Sequence, residues 1–116
     1  MEALLLLQHT QGVVSLKDLI EDESSFYLVV AHKGQHTLRS ILKQIPQASE
    51  ELEDFARETV KRVAKIVERM HKKKVMHRGL NLKSIMMNRD KKGLKVGCIT
   101  NFDFALHLQN RWMVQQ

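Results

Sequence analysis

The run from Glu50 to Lys73 constrains this chain more than any other stretch. Leu52, Phe55, Ala56, Val60, Val63, Ala64, Val67 and Met70 recur in it at helical spacing, which predicts an amphipathic α-helix. Ser49 stands where an N-cap belongs. Glu50, Glu51, Glu53 and Asp54 open the run and Lys72, Lys73 and Lys74 close it. Each end carries the charge the helix dipole favours, so the Lys run reads as a helix end rather than a nuclear address. Such a helix is roughly 35 Å long, and the rest of a small domain has to pack along it.

The flanking segments supply strands and turns. Ala3 to Leu7 is a compact apolar run, the last turns of a helix with no capping residue ahead of it. His9-Thr10-Gln11-Gly12 is a turn. Val13 to Ile20 alternates in part, as a half-buried strand does. Glu21 to Ser25 is a polar turn, and Phe26 to Ala31 is a strand apolar enough to be covered on both faces. The short connection predicts an antiparallel hairpin, which needs a cover because two strands alone are marginal. His32 to Gln35 is a linker. Thr37 can cap a short helix from Leu38 to Ile45, and Pro46 ends it.

After the long helix comes a loop, then Ile85 to Met87 as a short strand. Asn88 to Gly93 is a turn by composition and Leu94 to Ile99 a further strand, so a second hairpin is expected. In the tail from Asn101 to Gln116, Phe102, Phe104, Leu106 and Leu108 alternate ahead of Trp112, and the pattern assigns no element. Helices mixed with antiparallel hairpins make an α+β fold. Neither a repeat nor a linker divides it.

Composition narrows the class. With 43% hydrophobic residues among 116, the chain can bury a modest core, which separates it from disordered sequences. The net charge of +6 permits acidic partners. The charges are spread through the helices, however, and only Trp112 and Tyr27 could stack on bases, so nucleic acid is not the expected partner. Cys98 is the only cysteine and lies in an apolar run. It reads as a buried small hydrophobe, and no disulfide within the chain is expected. Met1 to Leu7 is too short for a signal peptide, and no run approaches a membrane span. A soluble protein of the cytoplasm or nucleus is expected.

The loop carries the most specific pattern. Val75-Met76-His77-Arg78-Gly79-Leu80-Asn81-Leu82-Lys83-Ser84 resembles the catalytic loop of protein kinases, which reads His-Arg-Asp-Leu with an Asn further on. Ile99 to Ala105 is similar to the segment around the family's Asp-Phe-Gly motif. Glu21 to Val29 is similar to its strands 4 and 5, and the turn after Glu21 points to the calcium/calmodulin-type serine/threonine kinases. Ala31 to Gly34 is similar to the hinge. The resemblance implies a partial protein-kinase-like fold of the α+β class, running from the end of the family's helix C to just past the Asp-Phe-Gly motif. Residues 1–31 would be a remnant of the N-lobe, and residues 32–116 the start of the C-lobe with helices D and E. The hinge residues Ala31, His32 and Lys33 would be what is left of a nucleotide site. Neither a Gly-rich phosphate loop nor a strand-3 Lys is in the sequence.

The departures from the family pattern bear on chemistry. Gly79 stands where the resemblance implies the Asp that orients and deprotonates the attacking hydroxyl. Asn81 stands at the Lys beside the transferred phosphate. Ser84 and Asn101 stand at the Asn and Asp that hold magnesium, which prefers charged oxygen ligands. Asp103 could substitute as a metal carboxylate if the motif is read two residues later, but it restores no base at Gly79. His77 and Arg78 match, and the resemblance gives His77 a packing role and Arg78 a phosphorylated activation loop to bind. A zinc site on His71 and His77 lacks further ligands.

The expectation is therefore a catalytically inactive pseudokinase fragment that binds a protein partner or itself, with no cofactor. Two alternatives stand beside it. One is a serine/threonine kinase using ATP and Mg²⁺ once missing segments are supplied. The other is a basic nucleic-acid-binding module.

Overall fold

The computed structural model describes residues 2–31 and 34–108. Helix α3 (Glu50–Lys72) is its longest element. The Ser49 hydroxyl accepts from the Leu52 N–H at 3.1 Å and so satisfies one of the free donors at the helix start. Lys74, at φ 61°, ends it.

Two clusters of buried side chains lie along α3. Ile66 and Met70 pack with Leu4 of α1 (Glu2–Leu6) and Leu7 just after it, and with Val13, Val75, Ile99 and Phe102. Phe55 and Val63 pack against a second cluster of Leu38, Ile41, Ile85 and Met87. On the inward line Thr59, Ile66 and Met70 are buried and Phe55 and Val63 half-buried. The sequence expectation holds for Leu52, Phe55, Val63, Val67 and Met70, misses Thr59 and Ile66, and fails at three positions. Ala56 and Ala64 are exposed, and Val60 is 66% exposed. Two apolar lines at the same period run along this helix, and only the position of the strands decides which faces inward.

Strands β1 (Ser15–Glu21) and β2 (Phe26–Ala31) form the expected antiparallel hairpin, with a register shift between Leu16 and Asp18. Asp22 closes the turn by accepting from the N–H groups of Ser24 and Ser25 at 2.9 and 2.7 Å. The expectation that β2 is covered on both faces fails: Phe26 is 66% exposed and Tyr27, Leu28 and Val29 are exposed as well. Only the base of the hairpin reaches the core, through Leu16 and Val30. Val13 and Val14 precede the strand instead of starting it. Val14 N–H donates to Ile99 C=O at 3.0 Å, and Ile99 N–H donates to Gly12 C=O at 2.7 Å.

The remaining strands frame the loop. β3 (His36–Thr37), β5 (Ile85–Asp90) and β6 (Gly93–Ile99) form an antiparallel sheet with β5 in the middle. β3 was not expected. Gly34 lets its chain approach, since a Cβ there would lie 2.8 Å from the Met86 Cβ. The turn expected over Asn88 to Gly93 shrinks to Lys91 and Lys92, because Asp90 pairs with Gly93. Helix α2 (Leu38–Leu42) is capped by the Thr37 hydroxyl as expected but stops short of Ile45. Pro46 restricts Ile45, the residue before it, but the helix has already ended at Leu42 with Lys43 as its cap. Finally β4 (Val75–Met76) pairs with β7 (Leu106–His107) across the two ends of the loop region. Phe102 is buried while Phe104 is 68% exposed, so the alternation in the tail does not mark one face. Trp112 and the hinge residues His32 and Lys33 lie outside the described residues. Among the described residues no helix is long and apolar enough to cross a membrane.

Candidate functional site

β4 delivers the chain into the loop at His77, and β5 takes it away after Ser84. His77 is 2% exposed. Its Nδ1 accepts from the Gly79 N–H at 3.1 Å, so the ring proton sits on Nε2 and is donated to Thr100 C=O at 2.8 Å. The ring also tilts against Phe102, with centroids 4.7 Å apart. His77 thus joins the loop to the 100–102 segment and holds one neutral tautomer.

Arg78 adopts φ 64°, and its Nε donates to Phe104 C=O at 2.7 Å. The resemblance gives Arg78 a phosphorylated activation loop to bind. In this structure it fastens the loop to the segment after Asn101.

Gly79 does not need to be glycine. Its φ is not positive, and a Cβ would meet only the Phe104 ring at 3.6 Å and the His77 ring at 3.8 Å. These are ordinary contacts. A Cβ therefore fits at this position.

Asn81 and Ser84 are occupied with each other. The Ser84 hydroxyl accepts from Asn81 N–H and donates to Asn81 C=O, both at 2.9 Å. The Asn81 Oδ1 accepts from the N–H groups of Lys83 and Ser84 at 2.8 and 3.2 Å, and its Nδ2 donates to Gly79 C=O at 3.0 Å. Ser84 is fully buried. Its C=O accepts from Thr100 N–H at 2.8 Å, a further tie to the end of β6.

Asn101 sits in the left-handed region at φ 60°, which Asn tolerates better than most residues. It and Asp103 line a cavity of about 400 Å³ whose apolar wall includes Leu4, Val14, Leu28 and Val30. Neither Gly79 nor Ser84 lines it. Of the four substituted positions only Asn101 lines this cavity. Ala31, the described hinge residue, is half-buried at the end of β2.

The donor set does not suit magnesium. Ser84 Oγ is spent on the loop backbone, Asn101 supplies a neutral amide, and Asp103 stands in a solvent-exposed turn. Among the described residues no three His, Cys, Asp or Glu side chains are grouped to hold a metal ion. The carbonyls of Thr100 and Phe104, which anchor His77 and Arg78, were missed from sequence. Every residue has a carbonyl, so no residue type marks them.

No curated protein matches the chain. A family model described as the protein kinase domain matches residues 1–115. That match takes in every element from α1 to β7, the His-Arg loop among them, and the chain belongs to the protein kinase domain family.

Proposed function

We propose that this kinase-domain chain does not transfer phosphate and acts by binding a protein. One observation carries the reading: Gly79 leaves no group to take a proton from an incoming hydroxyl, although its surroundings admit a Cβ. Loss of a general base alone costs about 10²–10⁴ in rate. The mutual engagement of Asn81 and Ser84 supports the reading further, because it leaves neither side chain free for phosphate or metal. With its oxygen donors spent or neutral, the loop is a structural bridge among β4, β5 and β6.

The test is a labelled-phosphate assay on the purified chain with ATP, magnesium and general kinase substrates, run beside Asp103→Ala. No transfer above the no-enzyme background is expected from either. Transfer by the parent that Asp103→Ala abolishes would overturn the proposal and make Asp103 the metal carboxylate.

A further inference from the structure

A second cleft, of about 570 Å³, opens between α3, β6 and the turn at Gln11 and Gly12. It shares no lining residue with the cavity at Asn101 and Asp103. Glu58, Lys61, Arg62, Lys65 and Arg69 of α3 line it. Their spacing of three and four puts them on one face of the helix. Ile66, on the same side, is buried and turns its neighbours into a rim.

Four cations on a helix face can simply be solvated. Three features set this face apart. The first is a wall: Gly12, at φ 91°, lies so close to α3 that a Cβ there would be 2.4 Å from Ile66 Cγ1. The second is an anchored guanidinium: Arg69 donates from Nη1 to Gln11 C=O at 3.0 Å, so part of its ordering cost is met before any ligand arrives. The third is the charge balance. Glu58 is the only carboxylate lining the cleft, and its contact with Lys61 is a loose, exposed 3.9 Å pair. A concave site lined by one sign of charge concentrates ions of the other.

We infer that this cleft binds a compact anion carrying several phosphate groups. Guanidinium forks match phosphate oxygens and Lys ammonium groups act as point charges beside them. One phosphate would leave most of the four cations unmatched, and the volume suits a small molecule rather than a single ion. No aromatic side chain lines the cleft, so there is no platform for stacked bases. The site is independent of whether the loop transfers phosphate.

The experiment titrates the full chain with inorganic tripolyphosphate at constant ionic strength, followed by calorimetry and thermal melting. Saturable one-to-one binding is expected. Arg62→Gln with Lys65→Gln should weaken it about tenfold or more. Lys91→Gln with Lys92→Gln, which removes the same charge at the β5–β6 turn, should change it less than about twofold. Equal weakening by both pairs, or no saturation, would overturn the inference. Glu58→Gln is an independent check that deletes a charge on an exposed surface. It should tighten binding, and a weaker or unchanged affinity would count against the site. ATP without magnesium should bind as tripolyphosphate does if the site reads phosphates. Binding of ATP alone, or of an RNA oligonucleotide more tightly than tripolyphosphate with loss in the Arg62/Lys65 variant, would reassign the cleft and overturn the inference.

Discussion

Asn81 and Ser84 bond to each other four times: twice between the Ser84 hydroxyl and the Asn81 backbone, and twice from the Ser84 N–H, to the Asn81 side chain and to the Asn81 C=O. The family places a cation and a metal ligand at these two positions. Here they form a closed turn.

Ser84→Ala should therefore be costly for so small a change. It takes the hydroxyl from the part-buried Asn81 N–H, while the Asn81 C=O keeps the Ser84 N–H at 3.1 Å, and a lost hydrogen bond of this kind costs about 0.5–1.5 kcal/mol. Urea denaturation should show the midpoint falling with an unchanged slope. A variant as stable as the parent would mean that water replaces the hydroxyl.

Gly79→Asp should fold. The nearest atoms to a new Cβ are 3.6 Å away or more, so a stability change within about 1 kcal/mol is expected. It should not restore phosphate transfer by itself, because Ser84 and Asn101 are unchanged. Melting curves and the labelled-phosphate assay read the two halves separately, and transfer by this variant would place the whole defect at Gly79.

Gly12→Ala should be damaging for two reasons that add. The position has φ 91°, and the new Cβ would fall 2.4 Å from Ile66 Cγ1. Strain at positive φ and overpacking together cost about 2–4 kcal/mol. The companion Ile66→Ala should relieve the clash while opening a cavity. A double-mutant cycle should thus give clear coupling between the two sites.

The Asp22 carboxyl is held below its ordinary value of 3.8, first by the Ser24 N–H and then by the Ser25 N–H. A depressed carboxyl favours the folded state above its unfolded pKa, and that contribution is lost as pH falls through the folded value. The turn between β1 and β2 should accordingly loosen only in acid, below about pH 4. Carboxyl titration by NMR should give Asp22 a value under 3.8, and Asp22→Ala should remove the acid-dependent shifts of the Ser24 and Ser25 amides. A value at or above 3.8 would contradict the turn geometry.

The hairpin should make the isolated chain self-associate. Phe26 and Tyr27 are exposed at 66% and 51% on a two-stranded sheet with open edges. Light scattering should show mass rising with concentration, and Phe26→Lys with Leu28→Lys should reduce it. A monodisperse monomer across the same range would count against the prediction.

What could be read from sequence was local. Ser49 and Thr37 cap the helices they were expected to cap, because capping depends on residues three apart. The α+β class and the kinase family were legible from the hairpins and from the His77-Arg78 loop. What was not legible is decided by distant chain. The inward line of α3 depends on where β6 lies, and the exposure of β2 depends on which residues stand above it. β3 exists because His36 meets Met87. At the site the substitutions were visible but not their new partners. Nothing about Asn81 says that it will bond to Ser84 and not to solvent. The basic line of Lys61, Lys65 and Arg69 is visible at a spacing of four, but the cleft it borders needs Gly12 laid against Ile66.

Val75 finds its strand partner only at His107, and His77 finds its acceptor only at Thr100. During synthesis the loop would emerge well before the groups that give it shape. Closing so wide a circuit is slow compared with forming the helix ahead of it. The molecule's centre is thus among the last parts to settle, and a lesion near Thr100 or His107 would be felt there first.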